Sequence, residues 1–398
     1  MSDAPKKLFL VDGSNQAFRS FFAIQSDMRA PDGFPTRALY GFTNALLKML
    51  RTHKPDYVLV AFDKGLSFRN DLYPEYKGQR PDMPADLRAQ WPDFIPLCEE
   101  LGVRATAIEG FEADDIIGTL ADRYGGPGVH VSIVSSDKDF CQLVNEHVDL
   151  VDIGRGDVLG PAEVSAKWGV PPSQIIELLA IMGDKSDNVP GVPGVGPKTA
   201  AKYLQTYPSA DAVYEAAVAK KIKGKRGLAI VDHGLEGFDL GRRLVTIHTD
   251  MDLPFDLEGI AVTDPNWDEL AVRFARYNFR RLREMAEENS SAGPAAPKVD
   301  SSGYRAVTSP EQLEQLVADL RKAGRFAFDT ETTSLDPREA QLVGMSFCWS
   351  NEAAVYVPIG HADGPNCPGA LEAIGPVLAD PTVHKIGQNL KYDLAVLR

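Results

Sequence analysis

No stretch of this sequence approaches the ~20 consecutive apolar residues that a membrane-spanning helix requires, so no spanning segment and no membrane partner is expected. The first seven residues carry no signal-peptide core or cleavage site before a strand-like run begins. Cysteine is scarce: Cys98, Cys141, Cys348 and Cys367 are scattered, with no CxxC pair. That spacing excludes a disulfide framework and a thiolate zinc site, and it fits a reducing, cytoplasmic setting. The seven histidines show no paired spacing, and none is assigned a role. Internal repeats are lacking as well. Positive charge is in deficit, with 42 Lys and Arg against 56 Asp and Glu and a net charge of −14. A phosphate-binding surface is normally basic. Here the acids fall in tight clusters and the bases gather elsewhere, so the average does not exclude a nucleic acid.

What is present describes a globular chain of two or three domains at roughly 150 residues each: 398 residues, 44% hydrophobic and 25% charged. Short β-rich apolar runs alternate with amphipathic stretches, the pattern of a mainly parallel α/β sheet. Residues 7–11, 57–62, 103–108, 129–134 and 148–151 predict strands. Residues 38–51, 85–101 and 113–124 predict helices. From 161 to 214 the pattern changes to short helices broken by Gly and Pro, and 268–288 reads as one basic helix. Residues 289–303 have the composition of a flexible linker. A second α/β unit begins at Tyr304. Ser309, Pro310 and Gln312 supply a capping box with Pro at the first helical position. Strands are expected at 325–328, 342–349 and 353–359, and helices at 370–378 and 390–397. The last helix reaches Arg398 without a terminator, so this unit is expected to be a fold cut short.

Acid follows each apolar strand of the first half. Asp12 follows the first run and Asp63 the second. Glu112, Asp114 and Asp115 open the helix after the third, and Asp137 and Asp139 follow the fourth. Open α/β sheets bind ligands at the carboxyl ends of their strands, so these acids should converge there. Asp184 and Asp187 come later; if their segment is helical, the three-residue step puts both on one face. A single Asp after a strand is more often a turn former or helix cap than a ligand. Nine in one cleft would repel each other unless cations sat between them. All-oxygen ligands favour Mg²⁺ or Mn²⁺. Two such ions about 4 Å apart can activate water and stabilise a phosphodiester under attack.

Five segments then carry a family resemblance: Leu10-Val11-Asp12-Gly13-Ser14, Ala61-Phe62-Asp63, Gly110 to Asp115, Ser136-Asp137-Lys138-Asp139 and Gly183 to Gly191. In this order and spacing they resemble the 5′-nuclease (flap endonuclease-like) family, most closely its bacterial DNA polymerase I branch. The resemblance covers roughly residues 7–288. It implies a PIN-like 5′-nuclease core at 1–160 with a helical arch at about 75–100, then a helical DNA-binding subdomain at 161–288. It also implies hydrolysis of 5′ flaps, nicked duplex and RNA primers on DNA by a monomer with two divalent ions, in the bacterial cytoplasm at the nucleoid. Lys77 and Arg80, read as one helical turn apart, would hold the scissile phosphate. Arg19, Arg69 and Tyr76 are further candidates for DNA contact. Gly191, Gly194, Gly196, Lys198 and Thr199 resemble the family's helix-hairpin-helix-like motif, which grips the duplex backbone and can bind K⁺. The run Lys220, Lys221, Lys223, Lys225 and Arg226 reads first as a solvated loop.

In the second unit, Asp329 and Glu331 end a strand and Asp393 lies on the last helical segment. They resemble the first motifs of the DnaQ-like 3′–5′ proofreading exonucleases, which implies a partial RNase H-like domain over 304–398. The motif that would complete its metal site is not seen, so this unit is expected to be inactive and loosely folded. Two other readings of the first half stand beside the nuclease: a PIN-like ribonuclease, and a module that binds flap DNA without cutting it. The first should lack the arch and the hairpin. The second should show gaps in the acidic set.

Overall fold

The structure is a computed structural model that describes residues 4–154, 156–290, 304–334, 336–350, 353–388 and 390–397. It divides into two compact units, one up to residue 294 and one from 295. Of the expected linker, residues 291–303 lie outside the described residues.

The first unit runs β1 (Lys6–Asp12), α1 (Gly13–Ala23), α2 (Arg37–His53), β2 (Tyr57–Ala61), α3 (Phe68–Leu72), α4 (Ala85–Gln90), α5 (Phe94–Glu100), β3 (Arg104–Thr106), α6 (Ala113–Tyr124) and β4 (Val129–Val134). It continues with β5 (Val148–Asp152), β6 (Asp157–Leu159), α7 (Pro161–Trp168), α8 (Ile175–Met182), α9 (Pro197–Leu204), α10 (Ala210–Val218), α11 (Gly224–Val245), α12 (Trp267–Arg276) and α13 (Arg280–Asn289). The sheet order is β3-β2-β1-β4-β5-β6, parallel except for β6. Both faces of this sheet are covered, which is why its strands read as unbroken apolar runs. Leu8, Leu10, Leu59, Val131 and Ile133 point into one core, shared with α6 and α8–α11. Phe9, Val11, Val58, Val60 and Val134 point into the other, shared with α1, α2, α5, α12 and α13.

Three local expectations are corrected. The stretch 85–101 is not one helix: α4 and α5 are separated by a 3₁₀ turn at Trp91–Asp93, where Pro92 sits. Nor does 85–100 stand free as an arch, because Leu87, Phe94, Leu97 and Cys98 are buried in the second core. The helix expected at 268–288 breaks at Asn278, which takes a left-handed φ of 59°. That break lets Tyr277 and Phe279 both turn inward, and it seats α12 and α13 on the second core, away from α8–α11 on the first.

The second unit runs β7 (Tyr304–Ala306), α14 (Pro310–Ala323), β8 (Arg325–Thr332), β9 (Leu342–Ser350), β10 (Ala353–Pro358), α15 (Ala370–Leu378), β11 (His384–Ile386) and α16 (Leu390–Val396). Its sheet order is β11-β8-β9-β10-β7. The Ser309–Gln312 capping box opens α14 as expected. The unit is not loosely folded in this structure. Leu313, Leu316, Leu320, Phe326, Phe328, Met345, Phe347, Val355, Val357, Ile374 and Val377 form a buried core of their own.

Candidate metal centre

Parallel strands deliver the acids of the first unit to one edge of the sheet. Asp12 ends β1 and caps α1, accepting from Asn15 N at 2.9 Å and from Ser135 Oγ at 2.9 Å. Gly13 behind it must be glycine: a Cβ there would lie 2.7 Å from the Phe62 ring. Asp63 follows β2; its amide donates to Ser14 Oγ and its carboxylate accepts from Ala113 N at 3.0 Å, at the start of α6. Glu112 and Asp114 lie at that same helix start. Asp137 follows β4 and accepts from Asp139 N at 3.0 Å.

Asp184 and Asp187 reach the cluster from a closed loop, not from the helix expected. Gly183 ends α8 with φ 70°, and Asp184 and Val189 pair across the loop mouth. Gly183 and Gly191 pack back to back, so a Cβ on Gly191 would lie 2.3 Å from Gly183 N. The loop brings oxygens of Asp184 and Asp187 together with one of Asp139, all within 4.8 Å of one another.

Mutual repulsion marks the cluster electrostatically. Burial, then Asp63 and Asp137, push the Asp12 carboxyl up to about 7, against its bonds from Asn15 and Ser135. Burial, then Asp137, Asp184 and Asp187, push Asp139 up to about 7, with Lys138 opposing. Burial, Asp12 and Asp137 raise Asp114 well above the usual carboxylate range. Asp139 Oδ1 has no hydrogen-bond partner among the described residues and faces Lys138 Nζ at 3.4 Å.

Cations of the protein itself partly offset this charge. Lys138 also binds Asp184, whose carboxyl is held below its usual range despite burial. Lys77 Nζ lies 2.9 Å from Glu112 and 3.8 Å from Asp187, and Arg80 pairs with Asp187. Burial works against the Lys77 charge, but Glu112, Asp187 and Asp114 raise its pKa above the ordinary value. The segment bearing Lys77 and Arg80 is not the helix expected; Lys77 has φ 55°, in a run of turns. Its register is set by the acidic loop instead. Lys77 N donates to Asp187 O at 2.9 Å, Asn188 Nδ2 to Glu75 O at 2.8 Å and Arg80 Nε to Ser186 O at 3.3 Å.

Four sequence candidates are tied to other groups of the protein. Asp115 is fully buried and faces Arg69, whose Nη1 and Nη2 each reach it at 2.8 Å. Arg69 is itself 2% exposed and donates to Leu244 O and Thr246 O, so it is no phosphate contact. Tyr76 is buried too, its hydroxyl 3.3 Å from both Glu112 and Asp187. Arg19 pairs with Asp152 at 2.8 Å. Pairing with other groups of the fold, which sequence does not display, sets Asp115 and Arg69 apart: each is held chiefly by the other. Lys138, by contrast, was passed over in sequence. Its position between Asp137 and Asp139 was the available signal.

Beyond the loop, Val192 and Val195 are buried anchors of the glycine-rich hairpin, and Gly194 takes φ 78° in its turn. Gly196 caps α9 and Lys198 is exposed in its first turn, with Thr199 half-buried beside it. In the second unit Asp329 and Glu331 are exposed at the end of β8. Asp393 is buried and accepts from Thr330 N at 3.1 Å and Thr330 Oγ1 at 2.6 Å. These three are not gathered as Asp139, Asp184 and Asp187 are.

Comparison with known proteins agrees with this geometry. Family profiles match "5′–3′ exonuclease, N-terminal resolvase-like domain" over residues 7–169 and "5′–3′ exonuclease, C-terminal SAM fold" over 170–268. A third, "3′–5′ exonuclease", matches 304–398. DNA polymerase I of Pseudomonas aeruginosa is 37% identical across the whole of this chain and 45% of its own length. That of Bacillus caldotenax is 38% identical over 85% of this chain and 41% of its own length. The chain thus spans less than half the length of these curated relatives. Among solved structures, T5 5′-exonuclease with bound divalent metal ions (zinc) superposes with a TM-score of 0.51 at 23% identity, covering 71% of this chain and 100% of that one. At that identity the likeness shows the fold. Among the described residues, no helix is long and apolar enough to cross a membrane.

Proposed function

The chain belongs to the 5′–3′ exonuclease family, here followed by a 3′–5′ exonuclease unit, and from that premise we propose that its first unit hydrolyses DNA at 5′ flaps, nicked duplex ends and RNA primers. The observation that carries this reading is the Asp139, Asp184 and Asp187 trio, with an unbonded buried oxygen on Asp139. Buried carboxylates that raise one another's pKa values lack cationic charge, and all-oxygen donors suit Mg²⁺ or Mn²⁺. Asp139, Asp184 and Asp187 would hold one ion, and Asp12, Asp63, Glu112, Asp114 and Asp137 a second, directly or through water. When bound, such ions activate water and stabilise the oxygens of the displacement. Asp115 is set apart from this role by its bond to Arg69.

The protein's own groups do the positioning. Lys77 and Arg80 rest on Glu112 and Asp187 and would turn to the scissile phosphate as it enters, stabilising charge that builds there. Tyr76 ties Glu112 to Asp187 across the cleft. Gly191, Gly194, Gly196, Lys198 and Thr199 would hold the duplex by its backbone without reading sequence, and K⁺ would sit at the hairpin's carbonyls. A monomer working in the bacterial cytoplasm at the nucleoid completes the reading. The second unit is proposed not to excise 3′ ends in this chain, because Asp329, Glu331 and Asp393 do not gather their oxygens as Asp139, Asp184 and Asp187 do.

The test is cleavage of 5′-labelled flap DNA and matched RNA by the full chain, with Mg²⁺ or EDTA. Short 5′ products are expected only from DNA-containing substrates of flap or nick type, and only with metal. Asp63→Ala should stop cutting and leave flap binding largely intact. Cutting of RNA alone would favour a PIN-like ribonuclease; binding with no cutting would favour a non-catalytic module. Undiminished cutting by the variant would sink the metal assignment.

A further inference from the structure

The stretch from the end of α10 into the first turn of α11, the 220–226 loop, carries charge with no ion-pair partner among the described residues. Lys220, Lys221, Lys223, Lys225 and Arg226 are all exposed. Ion pairs on the flanking helices run elsewhere, from Arg242 to Glu177 and Asp211 and from Arg243 to Asp239. A mobile solvated loop is the ordinary reading of such a run. Two observations set this one apart.

The backbone of the loop is fixed. The amides of Lys220, Lys221 and Ile222 donate to the carbonyls of Ala217, Ala216 and Ala216 at 2.9, 2.8 and 3.2 Å. Lys220 and Gly224 take left-handed φ values of 56° and 78°. Ile222 packs against the first core, and Gly227 approaches so close that a Cβ would lie 2.2 Å from the Ile222 carbonyl. Holding like charges together in a fixed loop costs free energy that a mobile loop avoids. The loop is also joined to the hairpin: Arg226 Nε donates to Gly194 O at 3.3 Å, in the hairpin turn. The cations therefore continue the surface that begins at Lys198.

We propose that the 220–226 loop is a second duplex-binding element, taking phosphates of double-stranded DNA beyond those held by the 191–199 hairpin. This rests on the reading of the hairpin as a duplex grip. In a chain of net charge −14, a fixed block of five cations is where a polyanion can approach. Lysines meet phosphates as point charges, so the loop sets position and duplex length rather than sequence.

Equilibrium binding of the full chain to flap DNA in EDTA, read by fluorescence anisotropy over a salt series, tests it. Each phosphate contact contributes about 0.9 to the slope of log affinity against log salt. Combining Lys220→Gln, Lys221→Gln, Lys223→Gln and Lys225→Gln should flatten that slope by about 3 to 4 on a long duplex. Trimming the duplex stepwise should abolish the difference between variant and parent. If the fourfold variant melts at a lower temperature, the pairs 220/221 and 223/225 replace it, each expected to remove about half of the change. Equal slopes on the long duplex would overturn the proposal, and so would an equal loss on single-stranded DNA. Binding read in EDTA does not depend on cutting, so a parent chain that binds here yet fails to cut flap DNA when Mg²⁺ is supplied would refute the nuclease reading and leave this one standing.

Discussion

With its guanidinium 2% exposed, Arg69 stays charged because Asp115 and Glu112 face it and the carbonyls of Leu244 and Thr246 accept its other hydrogen bonds. Removing one partner of such a pair strands the other as a buried charge, at about 3–5 kcal/mol. Arg69→Met is therefore expected to lower unfolding free energy by about that much in urea titration. A change below about 1 kcal/mol would mean that water or another group reaches Asp115. The same pair shows what a sequence displays at this scale and what it does not. Asp12, Asp63, Asp137 and Asp139 were legible because each ends or closely follows a strand whose direction is fixed by its parallel neighbours. Asp115 lies beside Asp114 at the start of α6, after the third strand, yet it points inward. An acid's identity is written in sequence; the direction of its side chain depends on what packs against it.

At the scale of elements, the loop from Gly183 to Gly191 decides whether Asp184 and Asp187 reach Asp139. Gly191→Ala would put a Cβ 2.3 Å from the backbone nitrogen of Gly183, and neither backbone is a flexible side-chain end. The loop must shift, and displacement of a catalytic group by about 1 Å can cost about 10²-fold in rate. Cleavage at saturating metal is expected to fall on that order while the melting temperature changes little; activity within about twofold of the parent would show that the loop absorbs the methyl group elsewhere. Glycines and prolines made this region legible as turns but not as to which turns. The step between Asp184 and Asp187 suits a helix and a closed loop equally. Likewise Lys77 and Arg80 have helical spacing, but hydrogen bonds to residues about a hundred positions away set their conformation. The break at Asn278 was illegible for a related reason. Nothing local forbids a continuous helix, and burial of both Tyr277 and Phe279 favours the kink.

For the molecule as a whole, the acidic cluster makes stability depend on pH and on divalent metal together. Asp12 and Asp139 titrate near 7 in the fold, against an ordinary 3.8. A raised carboxyl means that the folded state holds its proton more tightly than the unfolded state does. That contribution is complete below the unfolded value and is lost as pH rises through about 7. Metal binding needs the deprotonated form, so the rise in melting temperature on adding Mg²⁺ should be small near pH 5 and larger near pH 8. An increment that does not grow with pH would count against the cluster as the binding site. The cations already resident there add a condition of another kind. Lys138 on Asp184, and Lys77 and Arg80 on Asp187, sit on oxygens that an incoming ion would want. On the proposed assignment the centre would work as an ion exchanger: an arriving divalent ion would displace a tethered ammonium or guanidinium, and net affinity would be the difference between the two attachments. Such a centre would fill from an abundant ion pool rather than scavenge a trace metal, and Lys77 and Arg80, once displaced, would be free to turn toward the phosphate as the ion arrives.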